Sequence, residues 1–406
     1  MNVSPIANPL LAAVAPSPIA ETKGWVLGRQ FPADKPLIDL AQAVPGHPPP
    51  EDLREHLAGV LRDPTKHGYT PIMGVAELRE RYATHQSAFY DAPIAASEVG
   101  ITAGCNQAFC LAMMALAKQG DQVILPRPHY FNHDMWLRML GIEPVSLDFR
   151  PGSGAVPSAE DAAALITART RAIVLVTPNN PTGAVYPPQT IAAFYRLAQQ
   201  RGIALVLDET YKDFLPSGVR PHALFSDPDW KRTVVHLYSF SKVYALTGYR
   251  CGAVTCAAPL MAEIEKAMDC VSICPPRLAQ EAALYGLAHL GPWARGNTEA
   301  LARRAALFRD GLARSNRWRL VSLGAYFAYV EHPYDGRPSA AVSRWLADEH
   351  NLLTIPGSMF GAGQDRFIRF AFANVGDAMV PPIFERLESS PLPQAGEVDA
   401  RPARGG

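Results

Sequence analysis

Short apolar runs alternate with longer amphipathic stretches through the middle of the chain. The apolar runs predict six strands, at residues 99–102, 122–125, 172–177, 203–207, 233–238 and 252–256. Between them, a 3.6-residue period predicts helices at 106–118 and 188–201. Several runs are continuously apolar and β-branched, which is typical of strands buried on both faces. Because helices separate the strands, the pattern predicts an α/β fold with a three-layer, mainly parallel sheet.

The pattern changes towards the end of the chain. Strands are predicted at 326–331, 352–355 and 367–373, with helices at 339–350 and 380–388. This arrangement predicts a smaller α+β domain. We expect the early apolar stretch 37–44 to pack with it, so that the small domain is assembled from both ends of the chain.

The predicted organisation has four parts. A large domain spans 47–287, and the small domain combines 22–46 with 288–388. The first 21 residues are rich in Ala, Pro and Ser and predict a flexible arm at 1–21. A similar composition predicts a disordered tail at 389–406.

Charge and cysteine content narrow the class of protein. Lys plus Arg and Asp plus Glu both number 38, and this balance argues against nucleic acid as a partner. The six cysteines form no CxxC pair and no zinc-type cluster, so we expect no metal site and a cytoplasmic protein with reduced thiols. No apolar run reaches the roughly 18 residues that span a bilayer. The N-terminus also lacks the charged start of a signal peptide, so we expect neither a membrane nor a secreted protein.

The residues that follow the predicted strands are candidates for a site, because ligands of open α/β sheets bind beyond the carboxyl ends of the strands. Lys242 comes just after the strand at 233–238, where its amine could form a Schiff base if burial lowers its pKa. Ser239 and Arg250 are close in sequence and could bind a phosphate. From this segment alone, a surface lysine in a polar turn is an equal alternative.

Three other strand ends carry polar residues. Asp208 follows five apolar residues, where a carboxylate needs a partner such as a protonated ring nitrogen, and Tyr211 lies three residues on. Asn180 lies in a loop of Pro and Gly, and its amide can donate to an oxyanion. Segment 104–106 leads from a strand into a helix, whose N-terminal N–H groups form an anion site. Taken singly, Asp208 could instead cap a helix, and the other two segments could be ordinary turns.

The order of these segments resembles that of a known enzyme family. SFSK at 239–242 with GYR at 248–250, DETY at 208–211, NNPTG at 179–183 and the turn at 102–107 occur in the same order in fold-type-I enzymes that use pyridoxal 5′-phosphate. GYTP at 68–71 and IRFAF at 368–372 narrow the resemblance to the class I and II aminotransferases. The resemblance covers roughly residues 30–388 and implies fold type I for the large domain.

The resemblance implies a cofactor and the residues around it. Lys242 would hold pyridoxal 5′-phosphate as an internal aldimine and carry the substrate proton as pyridoxamine phosphate forms in the first of two half-reactions. Asp208 would keep the pyridine nitrogen protonated, and Asn180 and Tyr211 would bond the 3′-oxygen of the ring. Tyr130 would stack on the ring, although core packing is an alternative. The implied phosphate-binding residues are Gly104, Cys105, Asn106, Ser239 and Arg250.

The resemblance also implies the substrates and the assembly. The substrates would be an L-amino acid and a 2-oxo acid, with Arg369 clamping the α-carboxylate in a bidentate pair. Asn180 and His47 would border the substrate, although a loop histidine in solvent is as good an interpretation of His47. Tyr69 would reach the phosphate of the partner subunit in a homodimer.

Two positions depart from the family pattern. His133 stands where an aromatic residue is common, and we expect it to be structural. Asp269 lies near the position of the arginine that binds the side chain in dicarboxylate-specific relatives. Arg277 is close to it in sequence but lies beyond two prolines. This difference favours a neutral or cationic amino donor over aspartate.

Competing functions remain open at this stage. The main alternative is another reaction of the same cofactor with an amino acid, namely C–S cleavage or β-elimination, ring closure, or O2-dependent oxidation, because all of these use the same carbanion. A transcription regulator on this fold would need an added DNA-binding domain, for which the residues before the enzyme-like region are too few. Retention of Lys242, Asp208, Arg250 and Arg369 disfavours an inactive binding protein.

Overall fold

The computed structural model describes residues 6–389 of the chain, so the predictions for 1–5 and 390–406 lie outside the described residues. The helices are α1 (Pro9–Ala12), α2 (Pro18–Gly24), α3 (Glu51–Arg62), α4 (Ala76–Tyr90), α5 (Cys105–Leu116), α6 (Phe131–Met139), α7 (Ala159–Leu165), α8 (Pro188–Arg201), α9 (Phe240–Val243), α10 (Ala258–Ser272), α11 (Arg277–His289), α12 (Gly291–Ala313), α13 (Ser339–Glu349) and α14 (Val380–Glu388). The strands are β1 (Ile38–Asp39), β2 (Val99–Thr102), β3 (Gln122–Arg127), β4 (Glu143–Asp148), β5 (Thr170–Val176), β6 (Ala204–Asp208), β7 (Val234–Ser239), β8 (Gly252–Thr255), β9 (Arg319–Gly324), β10 (Phe327–Glu331), β11 (Leu352–Leu353), β12 (Ile355–Pro356) and β13 (Phe367–Ala371).

The chain divides into two units, each built from separate stretches of sequence. The described residues of the first unit are 6–15, 47–180 and 184–300, and those of the second are 16–46, 181–183 and 301–389. The domain bounds given by the sequence stay a prediction. Within the predicted arm, proline in the first turn starts the short helices α1 and α2, since proline is pre-shaped for that position.

The first unit contains a seven-stranded sheet with the order β2-β8-β7-β6-β5-β3-β4. Strand β8 runs antiparallel to both of its neighbours, and the other neighbouring pairs are parallel. This sheet and the helices between its strands confirm the predicted α/β fold. The sequence pattern did not reveal β4, because this partly exposed edge strand interleaves Val145 and Leu147 with polar residues and a proline.

An apolar core forms between this sheet and helices α5 and α10. Its members include Phe109 on α5, Val174 and Val206 on the central strands, Val254 on β8 and Ile264 on α10, all of which are buried. Apolar side chains dominate the central strands, where both faces of the sheet are covered. The core therefore makes the middle of the sheet a rigid base for the loops at its carboxyl edge.

The second unit contains two smaller sheets. Four antiparallel strands have the order β12-β13-β10-β9, and β1 pairs in parallel with β11. The pairing of Ile38 with Leu352 joins the early apolar stretch to the late strands, as expected. The single strand predicted at 352–355 is wrong, because the chain changes partner at Thr354 and passes from one sheet to the other.

Among residues 6–389, no helix combines the length and the apolar character that crossing a membrane requires.

Candidate active site

The carboxyl ends of three parallel strands bring several of the predicted site residues together. Val176 on β5 pairs with Asp208 on β6, and Asp208 pairs with Leu237 on β7. Asn180 follows β5 by four residues, and Lys242 lies in α9 directly after β7. The strand register therefore places the loop of Asn180, the Asp208 carboxylate and the segment of Lys242 along one edge of the sheet.

A second row of paired residues connects the phosphate turn to this edge. Ser239 on β7 and Thr102 on β2 both pair with Gly252, which lies between them on β8. A Cβ atom at residue 252 would lie 2.6 Å from the Cys105 backbone nitrogen, so the close approach of these segments requires glycine. The turn that starts α5 is consequently adjacent to the end of β7.

Gly104 and Arg250 form the centre of an anion cradle. Gly104 precedes α5 with φ of +85°, and a Cβ atom there would collide with the Arg250 guanidinium. Arg250 Nη1 donates to the Thr247 carbonyl oxygen at 3.0 Å, which fixes the direction of the side chain. The first-turn N–H groups of Cys105 and Asn106 have no acceptor within their own helix. Helix terminus and guanidinium together suit a phosphate dianion.

Asp208 is buried at the end of β6 and is 5% exposed. One carboxylate oxygen accepts from the Thr210 backbone N–H at 3.0 Å, and the Cys105 thiol and the Thr210 hydroxyl also donate to the carboxylate. Burial raises the pKa of Asp208 despite these bonds. Burial, followed by the Asp208 charge, raises the pKa of the Cys105 thiol well above its usual range, so the thiol stays a donor. A cation placed against Asp208 would favour its ionised form.

His133 is the residue whose place in the site the sequence did not reveal. Its ring stacks on Phe109 at 3.8 Å and meets Tyr130 edge-on at 5.1 Å. Its Nε2 atom is 3.7 Å from the Asp208 carboxylate, which is contact distance but too long for a hydrogen bond. Burial lowers the pKa of His133 to about 3, so the ring is neutral at physiological pH. The sequence feature that could have revealed this location is the position of His133 three residues after Tyr130, one turn along α6.

Replacing His133 with phenylalanine is expected to flatten the acid side of the stability curve. Below the ordinary histidine pKa of 6.5 the unfolded chain binds a proton that the folded chain refuses until about pH 3, so wild-type stability falls as pH falls through this window. Urea unfolding at a series of pH values should show a slope smaller by up to about 1.4 kcal/mol per pH unit in the His133→Phe variant. Equal slopes for the two proteins would contradict a neutral buried His133.

The remaining ring-contact candidates lie in the loops at this edge. The Tyr130 hydroxyl donates to the Asn106 side-chain oxygen at 3.3 Å, which links the loop after β3 to the phosphate turn. Asn180 and Tyr211 are buried, at 8% and 4% exposure. Asn179 donates its side-chain amide to the Val176 carbonyl and the Tyr186 hydroxyl within its own loop.

A buried acid lies next to Asp208 in sequence and has a separate set of partners. The Glu209 carboxylate is 3.0 Å from His236 Nε2 and 3.4 Å from His222 Nε2, and the Tyr90 hydroxyl donates to it. Burial alone would raise the pKa of Glu209, but the two histidines more than offset it, so the pKa lies below its usual range. This cluster anchors the strand end that carries Asp208.

Arg369 lies in the second unit and is nearly inaccessible to solvent. It pairs with Tyr329 across β13 and β10 and is 2% exposed. Its guanidinium donates to the Ala41 carbonyl oxygen and lies 5.1 Å from the rings of both Phe327 and Phe360. A planar cation between two aromatic rings is held in one orientation, as a bidentate carboxylate clamp requires.

Arg366 has a different environment from Arg369, which lies three residues further along the chain. Its side chain is 40% exposed and forms ion pairs with Asp335 and Glu331. This guanidinium is committed to surface carboxylates of its own unit, which leaves Arg369 as the candidate for the substrate.

Four further residues from the sequence analysis lie outside the strand ends described above. Tyr69 is 81% exposed, and His47 meets Trp293 edge-on at 5.2 Å. Arg277 binds Glu281 through two nitrogens at 2.8 Å, so its charge is already paired, and Asp269 is exposed on α10. Within the described part of the chain, no group of three or more His, Cys, Asp or Glu residues is arranged to hold a metal ion.

Comparison with known proteins adds to this geometry. The model of the family "Aminotransferase class I and II" matches residues 35–387. The valine–pyruvate aminotransferase of Mycobacterium tuberculosis is 31% identical over 347 residues, which are 83% of this chain and 87% of the relative. The aspartate aminotransferase of Sulfolobus acidocaldarius is 28% identical, over 83% of this chain and 86% of the relative. The structure of Thermus thermophilus aspartate aminotransferase with maleate superimposes with a TM-score of 0.87 at 26% identity, covering 94% of this chain and 99% of that one.

Proposed function

Since the chain belongs to the class I and II aminotransferase family and is an aminotransferase, we propose that it moves the amino group of an L-amino acid to a 2-oxo acid with pyridoxal 5′-phosphate attached at Lys242. The observation that carries this assignment is one sheet edge that combines an anion cradle, a buried carboxylate and a lysine. Each of these three features matches one part of the cofactor, namely its phosphate, its ring nitrogen and its aldehyde.

The cradle fits the phosphate of the cofactor. Gly104 and Gly252 leave space where any side chain would collide with Arg250 or with the backbone at Cys105. The hydrogen-bond donors to the phosphate would be the Arg250 guanidinium, the Ser239 hydroxyl and the first-turn N–H groups of α5. A locally concentrated cation and helix terminus explain how a chain with zero formal net charge can bind an anionic cofactor.

The buried carboxylate fits a protonated ring nitrogen. Asp208 has a raised pKa because burial disfavours its charge, and a cationic partner at contact distance would reverse that effect. Tyr130 would cover one face of the ring, while Asn180 and Tyr211 would donate to its 3′-oxygen. When bound, the cofactor supplies an electron sink for the carbanion formed at the substrate Cα atom.

The side chains of this protein would then do the binding and the proton transfer. Arg369 would hold the α-carboxylate of the substrate by two parallel hydrogen bonds and so fix the direction of the Cα–H bond. The Lys242 amine would act first as the base that removes the Cα proton and then as the acid that returns a proton. His47 and Asn180 would border the substrate. The preferred amino donor would have a neutral or cationic side chain, as proposed from the sequence.

The assembly and compartment are parts of the same proposal. An 81% exposed aromatic ring at Tyr69 supports a homodimer in which this residue completes the phosphate site of the partner subunit. All six cysteines are free thiols, which supports a cytoplasmic, reducing environment.

A single half-reaction tests the proposed function. Purified protein loaded with pyridoxal 5′-phosphate and given an L-amino acid alone should release about one equivalent of 2-oxo acid per subunit and then stop. Adding a 2-oxo acid should restart it, and a primary amine without a carboxylate should not replace the amino acid if Arg369 is the clamp. Continuous turnover without a 2-oxo acid, with release of ammonia, peroxide or thiol, would show one of the alternative reactions instead. A panel of donors and acceptors then identifies the substrates.

A further inference from the structure

Gln280 is a fully buried amide that holds two loops at once. It lies on α11 and is 0% exposed. Its side-chain oxygen accepts from the Val75 backbone N–H at 2.8 Å, and its nitrogen donates to the Thr70 hydroxyl at 3.1 Å and to the Pro275 carbonyl at 2.9 Å. Three of the four bonds available to a glutamine amide are thus made within the protein.

The first of these loops carries Tyr69. Thr70 and Val75 bracket the segment that follows Tyr69, and both bind Gln280. Gly74 has φ of +96°, and a Cβ atom there would lie 2.7 Å from the Ile101 side chain and 3.0 Å from the Gln280 oxygen. Because the Tyr69 ring is largely exposed, the fixed backbone beside it sets the direction in which the ring projects.

The second loop contains a strained turn. Ile273 has φ of +63° and ψ of −56°, and the Cys274 N–H donates to the Ser272 carbonyl at 2.6 Å. This is the γ-turn geometry that β-branched residues rarely adopt, and it persists only where the surroundings hold it. On one side Gln280 binds Pro275, and on the other Gln107 donates to the Ser272 hydroxyl at 3.1 Å.

Gln107 completes a continuous connection to the phosphate turn. Its side-chain oxygen accepts from the Ala103 N–H at 2.6 Å, immediately before Gly104. Two glutamines therefore join the phosphate turn of one subunit to its Tyr69 loop, with the strained turn between them.

We propose that Gln280 is a positioning residue for the aminotransferase reaction, which orients Tyr69 for the cofactor phosphate of the partner subunit. This inference rests on the proposed function, since it requires pyridoxal 5′-phosphate at the cradle. It assigns to Gln280 a part of the cofactor affinity, although Gln280 touches neither cofactor nor substrate.

A matched pair of variants separates positioning from stability. Gln280→Leu is expected to weaken pyridoxal 5′-phosphate binding about tenfold, the loss of about one hydrogen bond to a charged group. Gln122→Leu is the control, because Gln122 is also buried, at 5% exposure, and binds Glu143 and Thr167 at the amino end of β3. Both variants should unfold at lower urea concentration, and only Gln280→Leu should raise the dissociation constant of the cofactor, measured by equilibrium dialysis.

Two further measurements address the mechanism directly. Hydrogen exchange of the Val75 amide should accelerate in Gln280→Leu and stay slow in Gln280→Glu, whose carboxylate still accepts this bond but cannot donate to Thr70 and Pro275. The Gln280→Glu variant should nevertheless lose cofactor affinity, because the donors on the Tyr69 and Pro275 sides are gone.

A double-mutant cycle with Tyr69→Phe decides the question. If Gln280 acts through Tyr69, Gln280→Leu should weaken cofactor binding in the wild-type background and change it little in the Tyr69→Phe background. Equal losses in both backgrounds, or a Tyr69→Phe variant with unchanged affinity, would overturn the inference. Wild-type protein that takes up no pyridoxal 5′-phosphate would instead overturn the proposed function.

Discussion

A Lys242→Ala variant is expected to lose at least about a thousandfold in kcat, since a positioned acid–base group typically contributes up to about four orders of magnitude. The variant removes both the covalent attachment of the cofactor and the amine that carries the Cα proton. Mass spectrometry after borohydride reduction should find the cofactor bound to wild-type polypeptide and absent from the variant. Turnover of the half-reaction should fall in parallel.

Two controls make this result specific. Lys118→Ala removes an exposed lysine of the same unit and should leave both attachment and turnover unchanged. Small primary amines added to Lys242→Ala should restore part of the proton transfer without restoring attachment. A Lys242→Ala protein with wild-type kcat would remove the central assignment.

An Asp208→Asn variant is expected to lower kcat by about 150- to 5,000-fold. Leaving one partner of a buried ion pair without the other typically costs about 3–5 kcal/mol, and here the lost charge is the one that keeps the ring nitrogen protonated. The amide has the same shape as the carboxylate, so the Thr210 N–H keeps an acceptor. The effect should therefore appear in kcat more than in KM or in the urea midpoint.

The Asp208→Glu variant is the conservative partner for this test. It retains the negative charge with one additional methylene, so it should recover part of the lost rate if charge is what matters. Wild-type kcat in Asp208→Asn would exclude the pairing of Asp208 with a protonated ring. A loss that Asp208→Glu fails to reduce would assign the effect to shape.

Much of the large unit could be predicted because its local signals agree with its tertiary environment. The strand at Val99–Thr102 and the helix at Pro188–Arg201 have the predicted bounds, since apolar runs and proline punctuation act over a few residues. Strand β9, at Arg319–Gly324, was not predicted because its residues are partly exposed and make no clear apolar run. The carboxyl-edge rule then placed Asp208, Ser239 and Lys242 in the same region before any contact was known.

The rest of the site depends on contacts between distant segments. His133 reaches Asp208 only because α6 packs against α5, and nothing in the local sequence reports that approach. The local sequence also gives no sign that Gln280 is buried, since a glutamine on a helix face is ordinarily solvated. Its proposed role depends on contacts with two loops, one about 200 residues earlier in the chain and one five residues earlier.

At Arg250, the requirements of anion binding and of backbone stability conflict. Its backbone has φ of +61°, a left-handed conformation that costs a side-chain-bearing residue about 1–2 kcal/mol and glycine almost nothing. Selection for heat resistance alone would therefore favour glycine at this position, while anion binding requires the guanidinium. Stability and activity therefore favour different residues at this position. Substitutions that raise the thermal stability of this enzyme have to be made elsewhere, with Arg250 kept in place.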